Sequence, residues 1–305
     1  MLRPAASPGR RRGRLRRLTG ERMEKPVDRE GTSDARRLYL DLLKSCLTRT
    51  VVPERYRPLA PSRPAWAAAV RALNRVLGAA RLEVVRPANV RLDARAEGRD
   101  LPPDAETMIG RFRLDHLQRS VEEILERGVA GDLIEAGVWR GGAVILMRAV
   151  LAAHGDETRV VWAADSFRGL PPPDDAAPPE ERAHRRPALE KPLAVSLEEV
   201  RANVARYGLL DDRVRFLAGF FKDTLSSDPP GPLALVRLDA DLYESTRTAL
   251  RHLYPRLTPG GVLIVDDYGE MPGCRRAIDE FREAEGIATP MTRVDRSCIA
   301  WRREA

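Results

Sequence analysis

Long apolar runs are missing from this sequence. A membrane-spanning helix needs about 18 or more consecutive apolar residues, and the most apolar stretch, residues 141–153, is interrupted by Arg148. A spanning helix is therefore not expected. The amino-terminal run MLRPAASPGRRRGRLRR is positively charged, but no apolar segment follows it, so a secretory leader is not expected either. Cysteine is scarce: Cys46, Cys274 and Cys298 lie far apart and outside any metal-ligand spacing. That excludes a disulfide framework and a zinc motif, and fits reduced thiols in a cytoplasmic protein. His116, His154, His184 and His252 likewise lack metal spacing. Lysine is nearly absent, at four residues against 48 arginines, which reads as coding bias rather than as selected phosphate contacts. The G-x-G-x-x-G fingerprint of dinucleotide enzymes does not occur.

Core-forming material is plentiful. Of the 305 residues 43% are hydrophobic, enough for one large α/β domain and an accessory piece. The net charge of +7 is confined to the start: residues 1–37 hold twelve basic and five acidic residues, and the remainder is formally neutral. A nucleic-acid-binding reading would rest on this tail alone; residues 1–33 are read instead as a disordered basic extension. Ser33 and Asp34 then signal a helix start, with Leu38, Leu40, Leu42, Leu43 and Leu47 on a broad apolar stripe. A second helix reaches about Gly78, and residues 85–104 look irregular, which makes 34–103 a helical cover.

From 104 to 305 the chain reads as one domain. A helix at 115–127 opens it, and strands at 132–137, 159–165, 213–219, 233–241 and 260–268 then alternate with helices at 141–153, 196–208, 245–257 and 274–286. Residues 291–303 close it as one or two strands. Such alternation predicts a doubly wound, Rossmann-like, mostly parallel seven-stranded sheet with an antiparallel final strand. Residues 168–192 hold seven prolines and read as a loop or lid.

In a doubly wound sheet, ligands bind beyond the carboxyl ends of the strands. Carboxylates close four of these five strands: Glu135, Asp165, Asp239 with Asp241, and Asp266 with Asp267. The stretch LIEAGVWRGG places Gly137, Gly141 and Gly142 where a cofactor could approach the backbone closely. Glu135 would repel a pyrophosphate there and suits a cationic cofactor without phosphate, as S-adenosylmethionine is. Asp165 can accept from ribose hydroxyls, but a nicotinamide cofactor has a ribose too. A nicotinamide-dependent oxidoreductase is therefore the alternative, against which Glu135 weighs. Asp239, Asp266 and Asp267 offer hard oxygen ligands suited to Mg2+. Adjacent residues in a strand point to opposite faces, so Asp266 and Asp267 can share an ion only if the chain leaves the strand there. A solvated acidic loop is the plainer reading of the same residues.

These stretches resemble the macrocin O-methyltransferase family, whose members use S-adenosylmethionine and Mg2+ to methylate sugar hydroxyls of antibiotics. The resemblance runs from about Leu38 to Trp301 through LYLDLLKSCLT, ETMIG, IEAGVWRGG, DSFRGLP, VSLEEVRANVARYGL, GFFKDTL, LDADLYEST and VDDYG, in the family's order. Ala240 departs from it, where glycine is expected. The resemblance implies a cofactor site of Met108, Ile109, Glu135, Ala136, Gly137, Val138, Trp139, Asp165, Ser166, Ser196, Gly219 and Phe220, and metal ligation by Asp239, Asp266 and Asp267. It implies a small glycosylated substrate of macrolide or aminocoumarin type, met by the cover and the 168–192 loop, and a homodimer or larger assembly. Neither a nucleic acid nor a membrane is an expected partner. The acceptor's proton would go to Asp239 or Asp241, and the choice between them stays open.

Overall fold

Leu40, Leu43 and Leu47 recur at helical spacing, and the computed structural model carries them on the buried face of a helix, α1 (Arg29–Leu47). The structure describes residues 29–100, 102–172, 177–184, 191–227 and 230–304. Of the tail expected to be disordered (residues 1–33), residues 1–28 lie outside them, as do parts of the proline-rich loop, whereas residues 29–33 are helical. The helix starts before the predicted cap at Ser33 and Asp34; Asp34 lies within it and pairs with Arg37 at 3.1 Å, a one-turn spacing that supports helix. The buried stripe is also narrower than expected, because Leu38 and Leu42 are exposed.

After α1 come β1 (Tyr56–Pro58), α2 (Pro64–Gly78), β2 (Val85–Pro87) and α3 (Leu92–Ala96). Strands β1 and β2 pair antiparallel, and β2 lies in the stretch expected to be irregular. Pro58 and Pro87 sit at the ends of the ladder, where a missing N–H removes no interior bond. A buried ion cluster ties this piece together. Arg95 Nη2 donates to Glu54 Oε1 and Asp100 Oδ2, both at 2.8 Å, and Nη1 donates to the Arg49 carbonyl at 2.9 Å.

The remaining elements are α4 (Arg111–Glu126), β3 (Asp132–Ala136), α5 (Gly142–Ala153), β4 (Val161–Asp165), α6 (Pro179–His184), α7 (Leu197–Arg206), β5 (Val214–Ala218), α8 (Phe221–Ser227), β6 (Leu233–Leu238), α9 (Tyr243–Leu253), β7 (Leu257–Val265), α10 (Pro272–Ala284), β8 (Thr292–Arg293) and β9 (Ile299–Arg302). The short helix α6 interrupts the proline-rich loop; six residues make fewer than two turns and show no period in sequence. The sheet has seven strands in the order β5-β4-β3-β6-β7-β9-β8, parallel through β7 and antiparallel thereafter, as the alternation predicts. Leu133 and Leu235 face the layer of α4, α5 and α7, whereas Ile134 and Val236 face α9 and α10.

The chain builds β4 and β5 on one side of β3, then β6 and β7 on the other, so a crevice opens between β3 and β6 at their carboxyl ends. Backbone bonds continue past the strand ends and level them along one edge. The N–H groups of Gly219, Gly137 and Asp239 donate at 2.9 Å to the carbonyls of Asp165, Ala164 and Ala136, and that of Asp266 donates at 2.8 Å to Leu238.

Replacing Arg95 with Ala leaves Glu54 and Asp100 buried with only Arg57 between them. Urea denaturation should show a loss of about 3–5 kcal/mol, the usual effect of removing one partner from a buried ion pair. A loss below about 1 kcal/mol, as at exposed pairs, would mean that the cluster does not clamp the cover.

Candidate active site

The turns after β3 and β4 and the segments after β6 and β7 surround a cavity of about 1170 Å³. Of the expected site residues, Met108, Ile109, Gly137, Trp139, Asp165, Ser166, Phe220, Asp239, Asp241, Asp266 and Asp267 line it. Glu135, Ala136, Val138, Ser196 and Gly219 are not among its walls. Glu135, Ala136 and Val138 are buried beneath the turn. Ser196 is the N-cap of α7, and its hydroxyl accepts from the N–H of Glu199 at 3.2 Å.

The glycines of the turn make room for the chain itself, where the sequence suggested room for a cofactor. A Cβ on Gly137 (φ +94°) would lie 1.8 Å from the Asp239 carbonyl oxygen. One on Gly142 would lie 2.5 Å from the Cβ of Thr107. Asp165 fastens the turn to β4: its Oδ2 accepts from the N–H groups of Val138 at 2.7 Å and Trp139 at 3.3 Å, and its Oδ1 from Phe167 at 2.8 Å. A ribose hydroxyl would have to share these oxygens with backbone donors. Trp139, Phe167 and Asp241 adopt φ of 48°, 53° and 55°. Each such non-glycine residue costs of order 1–3 kcal/mol, and the three sit in the turns that follow β3, β4 and β6.

Among the described residues, Asp239, Asp266 and Asp267 converge closely, with one oxygen from each within 4.8 Å of the others. Strand β7 ends at Val265, which meets the condition for Asp266 and Asp267 to approach one point. Two arginines missed in the sequence share these acids. Arg237 Nη1 donates to Glu135 Oε1 at 2.5 Å and to Asp239 Oδ2 at 2.9 Å, and Nη2 lies 2.6 Å from Asp266 Oδ1. Arg113, on α4, donates to Asp266 Oδ2 at 2.5 Å and to Asp295 Oδ2 at 2.6 Å. For Arg237 a signal existed: it interrupts the apolar strand LALVRL and lies in register with Glu135.

Burial raises the Glu135 carboxyl to about 8, with Asp239 and Asp266 adding to the effect. Arg237 opposes the shift, but its one guanidinium is shared among three carboxylates. Asp239 is raised by burial and then by Asp266; Asp267 is held well above the ordinary range by burial and by Asp239, Asp241 and Asp266. Burial also holds the Cys274 thiol well above its usual range, which argues against a thiolate nucleophile. An all-oxygen, acid-rich set of this kind fits a hard divalent cation. A buried oxygen adds to the fit: Asp266 Oδ1 receives no hydrogen bond, which suits an ion at the aspartate trio, whereas Glu135 Oε2, also without one, is buried away from the cavity walls.

The family model for macrocin-O-methyltransferase (TylF) matches residues 36–303. The chain belongs to this family. It is 48% identical over 277 residues to the 8-demethyl-8-(2,3-dimethoxy-alpha-L-rhamnosyl)-tetracenomycin-C 4'-O-methyltransferase of Streptomyces olivaceus, a match covering 90% of this chain and 95% of that one. It is 48% identical over 221 residues to the demethyldecarbamoylnovobiocin O-methyltransferase of Streptomyces niveus, covering 72% of this chain and 83% of the relative. The solved structure of the O-methyltransferase NovP is similar with a TM-score of 0.75 and 41% identity, covering 88% of this chain and 100% of that one. This macrocin-family protein is accordingly an O-methyltransferase with the fold of the S-adenosylmethionine-dependent enzymes, and the oxidoreductase and nucleic-acid alternatives fall away. Among its described residues no helix is long and apolar enough to cross a membrane.

The raised carboxyls fix the sign of a pH effect. At a given pH the folded state keeps protons that the unfolded chain has released, so the stabilisation is full below the unfolded value and is lost as pH rises through the folded one. For Glu135 that window runs from 4.5 to about 8. In EDTA, the melting temperature should fall across this window. A melting temperature that climbs over the same range would contradict the assignment of raised carboxyls.

Proposed function

We propose that this protein transfers the methyl group of S-adenosylmethionine to a hydroxyl of a sugar carried by a glycosylated secondary metabolite, with Mg2+ held by Asp239, Asp266 and Asp267. The observation that carries the reading is the convergence of these carboxylates in the cavity onto which the glycine turn opens. The names of the two relatives above, one of which specifies a rhamnosylated tetracenomycin, support the substrate class. Typical small-ligand sites measure about 300–1,000 Å³; the larger volume here suits a cofactor and a glycoside together.

Met108, Ile109, Trp139, Asp165, Ser166 and Phe220 would hold the cofactor. When bound, Mg2+ supplies Lewis-acid stabilisation of the charge that develops on the acceptor oxygen. The acceptor oxygen attacks the methyl carbon in line, the carbon–sulfur bond breaks with its electron pair staying on sulfur to leave S-adenosylhomocysteine, and the hydroxyl proton passes to a carboxylate. Asp241 suits this role better than Asp239, because Asp239 belongs to the converging trio. Asp241 lines the cavity from a left-handed turn, and its N–H donates to Asp267 Oδ2 at 3.2 Å, which ties the base to the metal side of the site.

Turnover of labelled cofactor should vanish on chelation and return with Mg2+, while S-adenosylhomocysteine binding survives chelation. Asp267→Asn should raise the Mg2+ requirement. Asp241→Asn should leave that requirement alone and lower the maximal rate by about 100-fold or more, as for a lost general base. Indifference of turnover to chelator and to substitution at Asp266 and Asp267 would remove the metal from this reading. Exposed apolar side chains on α1 and α2, namely Leu38, Leu42, Trp66, Leu73 and Val76, support a dimer or larger assembly. Light scattering that returned the mass of one chain would end that part of the proposal.

A further inference from the structure

A fully buried guanidinium beneath a cation site is costly to desolvate, so its placement calls for a reason. Arg237 lies on the central strand β6 and touches one oxygen each of Glu135, Asp239 and Asp266, at 2.5, 2.9 and 2.6 Å. Two of these three acids belong to the converging trio. The contact with Asp266 differs from the other two. Arg237 Nη2 and Asp266 Oδ1 are both buried and lie 2.6 Å apart, yet neither makes an aligned hydrogen bond. Charge holds that pair rather than directional bonding, so a second cation at the trio would compete with Arg237 for this carboxylate, whose other oxygen stays with Arg113. Glu135, on the neighbouring strand and in register with Arg237, offers the guanidinium a place to remain when that happens.

We propose that Arg237 is a positioning residue that stands in for the metal: it holds Asp239 and Asp266 converged while no ion is bound, and it competes with the ion for those same carboxylates. The inference rests on the metal reading above and deepens it. Arg237 therefore weakens ion binding in exchange for a preformed site, which keeps the ion exchangeable.

Calorimetric titration of the full chain with Mn2+, as a probe for Mg2+, and melting curves with and without Mn2+ test this apart from turnover. In Arg237→Gln, Mn2+ should bind about tenfold or more tightly, because a unit positive charge a few ångströms from the ion has gone. Without metal the variant should melt well below the wild type, and Mn2+ should recover most of that loss. In Arg237→Lys, a point charge that cannot span three carboxylates, both effects should be intermediate; this variant decides the matter if the glutamine variant does not fold. Wild-type or weaker Mn2+ affinity in the folded variants, with no recovery of melting temperature, would reduce Arg237 to a structural ion pair and overturn the proposal. Absence of Mn2+ binding by the wild type would overturn the metal reading itself, and this inference with it.

Discussion

Like charges crowded in a poorly polarisable interior repel strongly: at an effective dielectric near 20, two unit charges about 4 Å apart interact by about 4 kcal/mol. The carboxyl edge of this sheet gathers Glu135, Asp239, Asp266 and Asp267 under that constraint, and much of the surrounding architecture answers it. Arg237 reaches the acids from the sheet, Arg113 from helix α4, and the backbone of Asp241 donates to Asp267. The parallel topology itself produces the crowding. Strand ends levelled by a continuing backbone ladder bring residues from separate parts of the chain to one height.

That origin explains what was legible in the sequence. Strands alternating with helices repeat from residue 132 onward, and this local period carried the parallel, doubly wound class of the sheet and the position of the acids at strand ends. The serine before LEE is likewise a local signal; Ser196 caps α7 and is not among the cavity walls, so a residue transferred from family resemblance has a nearer explanation. Arg113 was not legible, because it meets Asp266 from 153 positions away, and only the packing of α4 on the sheet brings them together. The β1–β2 pair escaped notice because proline counts against strand in a local reading, while its harmless place at a ladder end is a property of the pair. The start of α1 was misjudged for a related reason: a polar residue before an apolar run signals a cap only where the chain upstream is not helical.

The site also shows how far architecture and chemistry draw on the same residues. Asp165, expected as a ribose anchor, orders the glycine turn through Oδ2 and the turn after β4 through Oδ1. Gly137 lets the glycine turn lie against the chain leaving β6, so the glycine turn and the acidic side of the cavity are in van der Waals contact through bare backbone. Displacement of either turn is felt by the other, which favours a single rigid crevice over two adjustable half-sites.

The contact between Gly142 and the segment at Glu106 and Thr107 has a consequence for how such enzymes diversify. The N–H of Gly142 donates to the Glu106 carbonyl at 2.9 Å, and the first turn of α5 leaves no space for a side chain beneath Thr107. The segment joining the helical cover to the main domain is thus keyed into the opening turn of the helix that follows the glycine loop. Recombination between relatives that exchanged everything before residue 104 would preserve this key, whereas a crossover between residues 107 and 142 would mate two surfaces shaped in different lineages. Exchange before residue 104 would keep this key but would still require Arg36, Asp41 and Lys44 of α1 to fit the Ala153 carbonyl, Arg111 and Asp115.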